Sequence, residues 1–264
     1  MKRRTRLAAA TAAIAVGGLV GAGLGAGHRR NDAATPERLA ALPASPTPAL
    51  KVGPPAQLPS GRFFSRWAIV RIAAPARTRP AVDAPVITQL ARQTPEGTPN
   101  AVPVLRSRSE DEGRVWVKVR LPMLPDGRIG WVQRRVLGGY ETVNTHLVVD
   151  REHLRVTLYR SGEAVFTAPV GIGADSSPTP AGEFMIRNEL TRYASPFYGP
   201  VAFGTTARSA ALTDWPAGGF VGIHGTDEPG LIPGRVSHGC IRMRNPDIRR
   251  LAALMPIGTP LTIR

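Results

Sequence analysis

Over residues 67–136, and again from Thr145 to the C-terminus, the chain is a succession of short β-prone runs cut by Pro, Gly and polar turns. That pattern makes sheets, not helices, the carriers of the fold. Val115, Val117, Val119 and Leu121 alternate with Trp116, Lys118 and Arg120, the period of a strand with one buried face. Asp126-Gly127 then marks a turn before Ile129-Gly130-Trp131-Val132. Trp116 and Trp131 are expected in a core rather than as a ligand platform. Further on, residues 145–150, 154–159, 164–170, 182–187 and 220–224 read as strands rich in β-branched side chains. One helix stands out. Asn245 reads as its N-cap, Pro246 suits its first turn, and Asp247 complements its positive end. Ile248, Leu251, Ala252 and Met255 share a face, and Pro256 ends the run.

The ends of the chain differ from this body. Met1–Arg6 is short and positive and residues 7–27 carry no charge, the n-region and h-region of an export signal. The apolar stretch is close to the roughly 20 residues that span a bilayer, so a cleaved signal and a retained membrane anchor both fit. Residues 28–65 follow as a linker, with Pro36, Pro43, Pro46, Pro48, Pro54, Pro55 and Pro59 and few large aliphatics. The expected organisation is therefore a leader (1–27), a linker (28–65), a small β unit (66–138) and a second β-rich unit (144–264).

Charge is distributed unevenly. Of the net +15, +13 lies before Asn144, where 22 Lys and Arg stand against 9 Asp and Glu. A basic surplus attracts polyanions, among them an anionic membrane surface and an anionic cell wall. No zinc-ligand spacing, helix-turn-helix pattern or glycine-aromatic RNA-binding motif selects nucleic acid, and no nucleic-acid partner is expected. Nor are four ligands closely spaced as a metal would need, and no cofactor is implied.

The chemistry concentrates in the part with least net charge. Cys240 is the chain's only cysteine and cannot form an internal disulfide. It lies in Ser237-His238-Gly239-Cys240-Ile241-Arg242-Met243, and a second His-Gly pair, His224-Gly225, precedes it by sixteen residues. Thiol, imidazole and small residues together are what acyl transfer through a thioester requires. An ordinary thiol, with a pKa of about 8.5, is mostly protonated at neutral pH, and a neighbouring histidine raises its thiolate fraction. The helix that begins five residues after Cys240 is expected to brace this loop. The aromatic, Gly- and Pro-containing stretch 189–214, with Tyr193, Phe197 and Tyr198, reads as either a lid or a packed loop.

On these motifs, together with Thr179-Pro180-Ala181-Gly182-Glu183-Phe184, the region from about Thr145 onward resembles an L,D-transpeptidase catalytic domain of the YkuD type. Papain-like and NlpC-type peptidases place cysteine before histidine, the reverse order. Sortases share the order but use a longer separation and a Thr-Cys motif that is missing here. The resemblance implies a mainly β fold acting on peptidoglycan stem tetrapeptides, with Cys240 as nucleophile and His224 as base. The attacked bond joins the L-centre of a diamino acid to a terminal D-Ala, and an amine of a second stem resolves the acyl-enzyme into a 3→3 cross-link. It also implies a pocket and oxyanion role for Ser237, His238 and Gly239, substrate binding by Gly225, Thr226 and Arg242, and covalent addition of carbapenems. Arg242 fits a stem carboxylate, or an ion pair with Asp247 or Asp227. Residues 66–138 resemble a bacterial SH3-like small barrel, which binds wall peptides or packs on the catalytic unit. The enzyme would be exported and work in the cell wall or anchored at the membrane. Two other functions stay open: an L,D-carboxypeptidase that passes the thioester to water, and a wall-binding protein with a vestigial catalytic fold.

Overall fold

The computed structural model describes residues 64–109, 114–193, 195–211 and 219–264. The expected leader and nearly all of the expected linker lie outside them. The first sheet contains β1 (Ser65–Ile69), β2 (Ala74–Arg77), β3 (Val86–Leu90), β4 (Ala101–Ser109), β5 (Val115–Arg120), β6 (Ile129–Gln133) and β7 (Glu141–Val143). Its order is β3-β2-β6-β5-β4-β1-β7, and every neighbouring pair is antiparallel. Because β7 pairs with β1, this sheet runs on to Val143 rather than ending near residue 138. Val117, Val119 and Val132 close its core with Ala68, Val102 and Leu121. Strand β5 departs from the one-faced reading. Trp116, on the opposite side from Val117, is also buried, sharing a wall with Val82 and Val136. Trp131 is only half-buried, with the Lys118 ammonium 5.9 Å above its ring.

The second sheet holds β8 (Thr145–Asp150), β9 (Arg155–Arg160), β10 (Glu163–Pro169), β11 (Gly171–Gly173), β12 (Gly182–Leu190), β13 (Ala202–Arg208), β14 (Phe220–His224), β15 (Gly234–Ser237), β16 (Ile241–Arg242) and β17 (Pro260–Ile263). Their order is β10-β9-β8-β17-β12-β13-β14-β16-β11-β15. Three pairs are parallel, β8 with β17, β14 with β16 and β11 with β15. Strand β8 alternates as its sequence demands, with Thr145, Leu147 and Val149 buried and the residues between them partly exposed. Leu147 and Val149 join Val156, Leu158, Phe184, Ile186, Ile223, Ile241 and Leu261 in one core.

Helix α1 (Asn245–Leu254) covers part of that core with Ile248 and Leu251, and Met255 closes its end. Its cap differs from expectation. Arg244 occupies the N-cap position without a side-chain cap, and Asn245 is already helical. The Asn245 Oδ1 instead accepts the Thr226 N–H at 3.0 Å. A side chain inside the first turn no longer faces the amides of that turn, so it is free to tie down a neighbouring loop. Much of the stretch 189–214 is likewise neither lid nor loop. Ala202–Arg208 is strand β13 with Phe203 to Ala207 buried, and residues 194 and 212–214 lie outside the described residues.

The two sheets belong to one compact unit and pack against each other through polar contacts. In β12 the residues Phe184 to Asn188 are buried without alternation, because the turn after β3 covers the second face. Asn188 donates to Thr98 Oγ1 at 2.8 Å, and Arg187 donates to both oxygens of Glu96, at 2.6 and 2.9 Å. The register opposite β13 shifts between Ile186 and Asn188, and the Asn188 Oδ1 accepts the Gly204 N–H of β13 at 2.8 Å. Nearby, Asp126 accepts the Arg208 N–H and Arg120 donates to the Glu183 carbonyl.

Gly258, before β17, has φ +88°, and a Cβ there would overlap the indole of Trp67 in β1. Gly258→Ala is therefore expected to cost about 2–4 kcal/mol, from backbone strain and overpacking together. The check is a lowered urea midpoint accompanied by a shift in tryptophan fluorescence. An unchanged midpoint would mean that the two sheets do not meet at this point.

Candidate active site

The site is assembled where β14 and β16 run parallel, pairing Ile223 with Ile241 and His224 with Arg242. Cys240 stands immediately before β16, so this register brings the thiol beside the end of β14. A Cβ built on Gly222 would meet Cys240 Sγ and His224 Cδ2, each at 3.9 Å. Gly222 thus leaves open the space that sulfur and imidazole share, and its N–H donates to Sγ at 3.4 Å. The loop carrying Cys240 is clamped from two sides. Ser237 Oγ accepts the Gly239 N–H at 3.1 Å and donates to the Cys240 carbonyl at 2.5 Å. Thr179 Oγ1 accepts from Gly173 N–H and donates to the Gly239 carbonyl, both at 2.8 Å. Gly239 itself has φ +119°, a conformation that a side chain would strain.

His224 is 2% exposed. Burial pushes its pKa down from 6.5 to about 4, opposed by a hydrogen bond to the Gly225 carbonyl and aided by the Arg242 charge. Its Nδ1 lies 2.6 Å from that carbonyl oxygen. A carbonyl only accepts, so Nδ1 carries the proton and Nε2 keeps its lone pair. Cys240 is partly exposed as a residue, yet burial of its sulfur raises the thiol pKa, with the Gly222 N–H and Arg242 pulling the other way. The resting pair at neutral pH is therefore thiol and neutral imidazole. This arrangement suits a proton passed during attack rather than a preformed thiolate–imidazolium pair.

Aromatic rings surround the imidazole. The Tyr198 ring meets it edge-on with centroids 4.9 Å apart, and Phe197 lies 6.0 Å away. Arg242 is 6% exposed, stacks on Phe197 at 4.6 Å and pairs with Glu228 at 3.1 Å. Its ion-pair partner is thus neither Asp247 nor Asp227, because the turn that carries Thr226 swings Glu228 over β16. Gly225 and Thr226 serve this turn. A Cβ on Gly225 would strike Asn245 Oδ1, Thr226 is 1% exposed, and Thr226 Oγ1 accepts the Glu228 N–H at 3.1 Å. His238 is exposed at the loop's outer side, whereas Ser237 and Gly239 are buried beneath it. A cavity of about 210 Å³ contains both Cys240 and His224, walled by Tyr198, Phe203, Phe220 and Val221.

Sequence reasoning missed Gly222, Thr179 and Asn245 as supports of the site. Thr179 was visible only as part of a motif, since its partner Gly239 is 60 residues away. Among the described residues no cluster of three His, Cys, Asp or Glu could hold a metal ion.

Comparison with known proteins gives a consistent likeness. A family model for the L,D-transpeptidase catalytic domain (YkuD) matches residues 144–263. The chain is 32% identical over 145 residues to the protein named L,D-transpeptidase YkuD in Bacillus licheniformis, covering 54% of this chain and 81% of that protein. Its counterpart in Bacillus subtilis is 34% identical over 122 residues, covering 46% and 67%. The solved catalytic domain of an Enterococcus faecium L,D-transpeptidase is 26% identical, with 46% of this chain and 96% of that one covered at a TM-score of 0.35.

The burial of His224 has a measurable consequence. Between pH 6.5 and about 4 the unfolded chain binds more protons at this residue than the folded one. Stability from this group is complete above pH 6.5 and is lost as pH falls toward 4, by about 3 kcal/mol. Urea midpoints measured from pH 7 to 4 should fall more steeply for the native protein than for His224→Gln. Equal slopes would mean that the imidazole is not desolvated.

Proposed function

Because the chain belongs to the L,D-transpeptidase family with the YkuD-type catalytic domain, we propose that it cross-links peptidoglycan stem peptides through a cysteine acyl-enzyme. The observation that carries this reading is the shared cavity of Cys240 and the neutral, Nδ1-protonated His224. The thiol attacks the carbonyl of the diamino acid's L-centre while Nε2 takes the thiol proton. The C–N bond to D-Ala breaks, the imidazolium protonates the departing amine, and a thioester remains. An amine of a second stem attacks that thioester, gives its proton to Nε2, and leaves a 3→3 cross-link as the sulfur regains a proton.

Charge on the tetrahedral oxygen falls to backbone N–H groups of the loop. The Gly239 N–H is engaged by Ser237 Oγ, so His238 and Cys240 are the donors proposed. The His238 side chain is exposed, so its proposed contribution is the backbone N–H. Arg242, held by Glu228 and Phe197, keeps a fixed positive charge near the pair and attracts a stem carboxylate. The mostly apolar wall of the cavity limits water at the thioester, which favours transfer to an amine over hydrolysis.

The first sheet is read as SH3-like on the strand Gly130-Trp131-Val132, and its contacts with β12 favour packing on the catalytic unit as its role. Since peptidoglycan lies outside the cytoplasm, the protein is proposed to work there, at the wall or anchored to the membrane. Among the described residues no helix is long and apolar enough to cross a membrane.

Incubation with a synthetic stem tetrapeptide, followed by product mass spectrometry, is expected to yield D-Ala and cross-linked dimers. Shortened monomers without dimers would assign an L,D-carboxypeptidase instead, and unchanged stems a wall-binding protein. A carbapenem is expected to add covalently, and Cys240→Ala to abolish the adduct. Native acylation by the carbapenem should be flat from about pH 5 to 8, because both partners stay neutral across that range. In His224→Gln it should slow by about 10²–10⁴ at pH 7 and climb tenfold per pH unit as thiolate forms unaided. A flat profile in the variant would remove His224 from the role of base.

A further inference from the structure

The cavity around Cys240 contains a charged side chain that the catalytic sheet does not supply. Glu96, in the turn between β3 and β4, lines the same wall as Phe220 and Tyr198. It is the one carboxylate among the residues that line the cavity, and no Lys or Arg lines it. Its oxygens accept from Arg187 Nη2 at 2.6 and 2.9 Å, and one of them also from Asn188 Nδ2 at 3.3 Å. An ionised carboxylate offers about four lone-pair positions, so these three contacts fix the group without saturating it.

The two members of the pair differ in exposure. The Glu96 side chain is 18% exposed and that of Arg187 is 2%. Arg187 lies across the Phe220 ring at 3.7 Å and does not line the cavity. The guanidinium therefore anchors the carboxylate from behind and offers nothing to an occupant. What an occupant meets is an apolar passage with a carboxylate in its wall, a shape that suits an aliphatic chain ending in a cation.

Resting on the proposed reading that stem peptides occupy this site, we propose that Glu96 binds the side-chain ammonium of the stem's diamino acid. By this contact the first sheet selects which peptide reaches the thiol. Glu96 is then a specificity residue contributed by a part of the chain that precedes the matched catalytic region, residues 144–263.

The test uses the full chain and two synthetic stem tetrapeptides, one with lysine at the third position and one with norleucine, which keeps the aliphatic chain but lacks the ammonium. A stem tripeptide, which offers a lysine amine but has no terminal D-Ala to lose, is present in both reactions at one saturating concentration as acceptor. D-Ala release then gives KM and kcat for each tetrapeptide as donor. The native protein should show a KM about tenfold lower for the lysine peptide, equivalent to about 1.4 kcal/mol, with kcat within about twofold. Glu96→Gln should raise the lysine KM to the norleucine value. Because that change leaves Arg187 without its partner, the double variant Glu96→Gln/Arg187→Met is measured beside it and should also lack the preference. Carbapenem acylation, followed in every protein, reports whether the thiol site is formed. Its absence from the native protein would defeat the reading of Cys240 itself. With acylation intact, a native protein indifferent to the ammonium, or a preference that persists in either folded variant, overturns the role given to Glu96.

Discussion

Everything at the site depends on a very short parallel pairing, Ile223 with Ile241 and His224 with Arg242. Two ladder positions cannot hold a loop by themselves, and here they do not have to. Ile223 and Ile241 are fully buried in the main core, which fixes the register from below. Thr179 and Ser237 fix the Cys240 loop from the sides, each making two hydrogen bonds to its backbone or to the strand beside it. A slip by one residue would reverse the faces of β16 and carry Arg242 into the core.

Desolvation then decides the chemistry of what the register has brought together. The same packing that buries Ile223 excludes water from the imidazole, and so keeps His224 neutral to far below its ordinary pKa. The sulfur responds in the opposite direction, because burial opposes a thiolate as it opposes an imidazolium. Neither group is charged at rest, and the pair does not bear the cost of an isolated buried ion. Rings from the segment before β13 supply much of that shielding, with Tyr198 and Phe197 against the imidazole.

Legibility in the sequence followed the range of the interactions. Strands β8 and β14 have the boundaries that their β-branched runs announce, and α1 the buried face that Ile248 and Leu251 announce. Cys240 and His224 were marked by residue type and spacing alone. The local rule makes Asn245 an N-cap, but a tertiary partner that the sequence does not reveal, the Thr226 N–H, takes its side chain instead. Trp116 is buried as its residue type suggests, but the double-sided burial of its strand arises from elements distant in sequence. The sequence offers Arg242 a stem carboxylate or the acids Asp227 and Asp247, and the turn after Thr226 brings Glu228 to it instead of either acid.

The sequence by itself determined a mainly β protein with one helix, a thiol–imidazole pair and the family to which the catalytic half is similar. Those follow from periodicity, turn chemistry and short motifs, all encoded within a few residues. Tertiary structure alone decided the protonation of that pair, the partner of Arg242 and the meeting of Glu96 with Arg187, residues 91 positions apart. The reason is physical: dielectric surroundings and long-range ion pairs belong to the packed arrangement of sheets, and no local stretch of chain carries them.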